Sequence, residues 1–172
     1  MHLSRIIKTG LIMCAPCLGA TPHKLANPTS NPRSFGLGVI VGEPTGISAK
    51  KWVGDNQAVD GGVAYSFDSK TSSALAFVDY LWHFPDVVDK TQVSGHFSPY
   101  FGLGGGLSLE SSKETAKTNE SVLACEARLP LGIEWIMPNI PLGLAIEIVP
   151  SFKVLPETRL ALHGGFAVRY YF

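Results

Sequence analysis

The stretch Arg159-Leu160-Ala161-Leu162-His163-Gly164-Gly165-Phe166-Ala167-Val168-Arg169-Tyr170-Tyr171-Phe172 decides how the rest of the chain reads. Leu160, Leu162, Phe166, Val168, Tyr170 and Phe172 share one parity. Arg159, His163, Ala167, Arg169 and Tyr171 share the other. A period of two is the signature of a strand with unlike faces. One face is aliphatic and aromatic; the other mixes fixed charge with small residues. A strand of this length, closing on an aromatic, fits a membrane barrel with lipid outside and a polar lumen.

The same rhythm runs backwards through the chain. Strand candidates fall at about 35–42, 46–53, 58–67, 73–83, 98–109, 121–136, 142–153 and the final stretch. Turn chemistry separates them: Glu43-Pro44-Thr45-Gly46, Gly54-Asp55-Asn56, Asp68-Ser69-Lys70 and Pro138-Asn139-Ile140-Pro141. The longest connection is 84–97, and 110–120 reads as an exposed loop. Eight strands joined as hairpins imply an all-β, antiparallel, up-and-down transmembrane barrel, since even counts are usual for bacterial barrels. Pro130 and Pro150 fall in neighbouring strands and donate no ladder bond, which predicts a bulge or gap between them.

Composition agrees. Only 16% of the 172 residues are charged, against ~25% in ordinary soluble domains. Net charge is zero, which gives no electrostatic footprint for nucleic acid. No apolar run reaches the ~18 residues of a spanning helix, so a membrane assignment rests on strands. Residues 1–20 read as a secretory signal: Arg5 and Lys8 precede the apolar stretch Gly10–Ala20. Residues 21–34 are polar and proline-rich and read as a linker, leaving 35–172 as the barrel domain. Cys14 and Cys17 lie in the leader, so Cys125 would be the one cysteine of the mature chain.

Alternation alone does not say which face is inside. A lipocalin-type barrel would hide the apolar face. Here the polar parity holds mostly Gly, Ala and Ser with single charges, too sparse for a solvated surface. The interior of an eight-stranded barrel is just wide enough for side chains to fill it. The polar parity is therefore assigned to the lumen, which gathers Lys50, Asp60, Asp79, Glu110, Glu126, Glu134, Glu147, Arg128, Lys153, Arg159 and Arg169. Buried charges persist when paired, so a salt-bridged plug is expected. Hairpin geometry around Asn139 suggests Glu126 beside Lys153 and Arg128 beside Glu147. Lys51 has lipid-facing parity near a strand end, where its stem can snorkel. Tyr80, Trp82, Trp135, Tyr170 and Phe172 suit headgroup depth.

The chain resembles the small eight-stranded outer-membrane barrels of the OmpA/OmpX type. It is similar within them to a bacterial subgroup sharing Pro130-Leu131-Gly132-Ile133-Glu134-Trp135, Glu147-Ile148-Val149-Pro150 and Arg169-Tyr170-Tyr171-Phe172. The resemblance implies location in a bacterial outer membrane. It also implies that Phe166, Val168, Tyr170 and Phe172 form the C-terminal signal read by the barrel-assembly machinery. With both termini periplasmic, the 84–97 connection would fall on the side where turns are usually short.

Chemistry is sparsely signalled. His96 and Ser98 resemble the His-x-Ser element of outer-membrane lipid A deacylases, but Pro99 stands where that family has Asn. His163 reads as a neutral, hydrogen-bonded lumen histidine. No metal-ligand motif or phosphate loop is present, and no cofactor is expected. The sequence therefore points to a non-enzymatic, monomeric barrel in contact with membrane lipid, with a structural or surface-interaction role. A narrow gated pore and a deacylase using His96 and Ser98 are the alternatives.

Overall fold

Nine antiparallel strand segments form the structure, a computed structural model that describes residues 33–67, 71–85, 95–112, 121–155 and 158–172. They are β1 (Phe35–Glu43), β2 (Thr45–Trp52), β3 (Gln57–Phe67), β4 (Thr71–His83), β5 (His96–Ser112), β6 (Ser121–Arg128), β7 (Leu131–Ile136), β8 (Leu142–Leu155) and β9 (Arg159–Tyr171). The expected leader and all of the linker but Arg33 and Ser34 lie outside the described residues. So do most of the 84–97 connection and of the 110–120 loop.

β6 and β7 are two pieces of one barrel strand. Against β5, Gly104 faces Arg128 and Phe101 faces Leu131, so the register runs unbroken from β6 into β7. Against β8, Arg128 faces Ser151 and Leu131 faces Ile148, again without a slip. The break is Leu129-Pro130, as the two prolines suggested. Gly102 N–H donates to the Pro130 carbonyl at 2.8 Å, and Leu129 N–H donates to the Pro150 carbonyl at 2.9 Å. Each proline lacks the N–H that would return the reciprocal bond. Two ladder bonds are thus missing at nearly one height. A further irregularity lies between Cys125 and Glu126, where the register against β8 shifts by one.

The ring closes. Neighbouring strands pair in chain order from β1 through β5 to β6/β7, β8 and β9, and β9 pairs back onto β1 from Gly36↔Tyr171 to Glu43↔Gly164. Closure leaves no sheet edge, which a lipid-exposed sheet requires.

Burial is the reverse of a soluble protein's. Lys50 and Glu134 are 0% exposed, whereas Leu160 is 78% and Leu162 71% exposed. Along β9 and the residue that follows it, the outward set is Leu160, Leu162, Phe166, Val168, Tyr170 and Phe172, as the alternation anticipated. Across the outward parity of the described strands the charged residues are Lys51 and, at the rim, Glu43. The aromatic rings crowd the rim that carries Phe35 and Phe172. Trp82 stacks on Phe101 at 5.3 Å, Phe97 on Trp135 at 5.6 Å, and Phe172 meets Tyr170 at 4.9 Å.

Strand four shows the limit of reading a face by hydrophobicity. Leu75, Phe77 and Leu81 point inward beside Asp79 and His83, because the parity of the strand, not the polarity of each residue, sets direction. Leu81 packs with Ala58 and Tyr100 in the small apolar part of the lumen.

Candidate functional site

The interior is a stack of polar contacts between inward side chains. Its centre is Glu134 on β7. Lys50 on β2 donates to Glu134 Oε2 at 2.6 Å, and Tyr171 Oη donates to Oε1 at 2.7 Å. Arg169 Nη1 lies 3.9 Å from the same carboxylate. Lys50 Nζ also sits 2.9 Å from His83 Nε2. β2 and β7 stand on opposite sides of the ring, so the Lys50–Glu134 pair spans the lumen.

Next to this cluster, Arg169 donates to Asp60 at 2.6 Å and to Ser48 at 2.9 Å. Arg128 donates to Asp79 at 3.1 Å and to Glu126 at 3.2 Å, with its guanidinium 4.3 Å from the Phe77 ring centre. Tyr100 Oη donates to Glu147 at 2.6 Å. Towards the opposite rim, Lys153 and Arg159 both donate to Glu110. His163 Nε2 lies 3.5 Å from the Glu126 carboxylate.

Of the charges assigned to the lumen, Lys50, Asp60, Asp79, Glu126, Arg128, Glu134, Lys153 and Arg169 are buried. Glu147 is half-buried; Arg159 is exposed at the rim. The expected Arg128–Glu147 contact is not formed. Arg128 faces Ser151, while Glu147 faces Gly132 and pairs with Tyr100. Glu126 does lie opposite Lys153, yet Lys153 bonds Glu110 instead. The reason is geometric: Asp79 and Arg128 flank Gly104 in one register row, and Tyr100 and Glu147 flank Gly132, so each long side chain reaches its partner over a glycine two strands away. Sequence reading also missed His83, Tyr100, Tyr171 and Ser48. Their inward parity was visible, but nothing local marked them as partners of Glu134, Glu147 or Asp60.

Glycines make room for these groups. Tyr171 lies between Gly36 and Gly143, where an added Cβ would come within 2.7 Å of its ring on either side. A Cβ on Gly104 would collide with the Asp79 carboxylate. The small lumen residues are therefore set by close approach to large neighbours.

The His96–Ser98 element does not assemble. His96 is exposed, and Ser98 Oγ is buried without a hydrogen-bond partner, so no base activates it here. Among the described residues no group of three or more His, Cys, Asp or Glu side chains could hold a metal ion. No helix of the described residues is long and apolar enough to cross a membrane, which says nothing about strands.

The architecture and interior together define a closed antiparallel β-barrel of the outer-membrane type, apolar outside and ion-paired within. Its fold matches the N-terminal β-barrel domain of OprF from Pseudomonas aeruginosa with a TM-score of 0.64 at 13% identity, over 80% of this chain and 96% of that one. It also matches Neisserial surface protein A, NspA, with a TM-score of 0.55 at 13% identity, over 80% and 93% of the respective chains. At such identity the likeness is one of fold. The chain belongs to the family described as Protein of unknown function (DUF3996), whose model matches residues 26–170. A comparison with curated protein sequences returns no match.

Proposed function

We propose that this protein is a non-enzymatic barrel of a bacterial outer membrane, with a structural or surface-interaction role and a lumen closed by its own ion pairs. One observation carries the reading: Lys50 and Glu134 are fully buried while the aliphatic face of every strand is exposed. In water such a surface would aggregate. In a bilayer it is the solvated one, and the charges are withdrawn from hydrocarbon into mutual contact. Both structural neighbours are outer-membrane barrels by fold, which supports the location.

The remaining roles follow from the same reading. Residues 1–20 act as the export leader and 21–34 as a linker. Membrane lipid covers the barrel, which is a monomer. Phe166, Val168, Tyr170 and Phe172 project outward on the last strand, where the barrel-assembly machinery would read them.

The test is conductance. Refolded mature protein in planar bilayers is expected to pass no sustained current, because Lys50–Glu134 crosses the lumen and Arg128–Asp79 fills it from one wall. Stepwise single-channel currents would establish the narrow-pore reading in its place. Monodisperse behaviour in buffer without detergent would refute the membrane reading itself.

A further inference from the structure

The rim that carries Phe35 and Phe172 opens into a cavity of about 430 Å³, within the ~300–1,000 Å³ of small-molecule sites. Trp52, Ile136 and Met137 supply apolar wall, and His83, Ser98 and Tyr171 line it with polar atoms. Tyr171 Oη is already engaged with Glu134. The other two are not satisfied: His83 Nδ1 and Ser98 Oγ are buried and have no hydrogen-bond partner, with the residues 2% and 6% exposed.

The protonation of His83 follows from its neighbour. An ammonium can only donate, so at 2.9 Å from Lys50 Nζ the His83 Nε2 atom accepts. The neutral ring then carries its proton on Nδ1. Two buried donors, Nδ1–H and the Ser98 hydroxyl, thus line one cavity with nothing to receive them, and buried donors normally have an acceptor.

Charge selects the ligand. The cations beneath are already matched, Lys50 to Glu134 and Arg169 to Asp60. The Glu134 carboxylate lies 3.5 Å from His83. With Arg33 and Asp55 the lining carries one charge of each sign, so an anionic ligand on His83 still meets repulsion from that carboxylate. A neutral acceptor does not.

We propose that this vestibule binds a small neutral molecule with an apolar body and a carbonyl oxygen, the class of amides and esters. The carbonyl accepts from His83 Nδ1 and Ser98 Oγ, and the body lies against Trp52, Ile136 and Met137. This site stands whether or not the lumen conducts.

Fluorine NMR of para-fluorophenylacetamide tests it, with refolded barrel in lipid nanodiscs and empty nanodiscs as the partition control. Saturable binding above the control is expected. Ser98→Ala should weaken it about three- to tenfold, the effect of one hydrogen bond. Ile136→Trp, which fills the cavity from its wall, should abolish it. The carboxylate analogue, para-fluorophenylacetate, should bind more weakly than the amide. The proposal is overturned if binding does not exceed that of empty nanodiscs, if both variants bind as wild type, or if the carboxylate binds more tightly. A vestibule holding only water would give the first of these.

Discussion

Replacing Glu134 by alanine should be among the most damaging single changes to the barrel. The carboxylate receives Lys50 at 2.6 Å and Tyr171 at 2.7 Å, and Arg169 approaches to 3.9 Å. Without it, Lys50 keeps the His83 imidazole and the faces of Trp52 and Tyr100 but no described carboxylate partner, in a site where its side chain is 0% exposed. Removing one partner of a buried ion pair costs about 3–5 kcal/mol because the other charge stays desolvated. Lys50→Met should cost less, since Arg169 and Tyr171 still address the carboxylate. The double variant Lys50→Met/Glu134→Met removes both charges at once. A buried pair exchanged for apolar groups of similar volume is often neutral, although Tyr171 then loses its acceptor at about 1–3 kcal/mol. The double variant should therefore recover about 2 kcal/mol of the Glu134→Ala loss. Guanidinium unfolding of protein refolded into lipid vesicles, followed by tryptophan emission and extrapolated linearly, measures all three. If Glu134→Ala costs less than about 1 kcal/mol, the range of solvent-exposed pairs, water reaches the pair and the sealed-lumen argument fails.

Other outcomes follow from the same geometry. Arg128→Met should destabilise by about 3 kcal/mol or more in the same assay, because it leaves Asp79 and Glu126 buried without their shared cation. Pro150→Val restores an N–H facing the Leu129 carbonyl and should add about 0.5–1.5 kcal/mol; no gain would mean the backbone there cannot close the bond. Val78→Arg, on the lipid face midway along β4 where Val78 is 61% exposed, should cost about 2–4 kcal/mol in vesicles. A cost near zero would place that position outside hydrocarbon. Deleting Phe172 removes an N–H bonded to the Phe35 carbonyl at 2.8 Å and a ring beside Tyr170. It should lower the yield of heat-resistant barrel in cell envelopes, and unchanged yield would exclude Phe172 from the assembly signal.

Much of the barrel was written in the parity of residues. The outward positions of Leu160, Leu162, Phe166, Val168, Tyr170 and Phe172 needed nothing beyond a period of two and a sparse polar face. The interruption at Pro130 was equally legible, because a missing N–H is a property of the residue. The pairings were not. Lys50 and Glu134 are 84 residues apart, and Arg169 and Asp60 are 109 apart. Their meeting depends on how far each strand is staggered before the ring closes.

What the sequence by itself determined, then, is which side chains face outward and which face the axis. Direction alternates residue by residue, and no distant contact can change it within a strand. Only the tertiary structure decided who meets whom inside. Stagger and closure place opposite strands at particular relative heights, and the one-residue shift at Cys125 adjusts that height on one wall. Hence Lys50 finds Glu134 across the ring, while Arg128 reaches Asp79 over Gly104 and Tyr100 reaches Glu147 over Gly132.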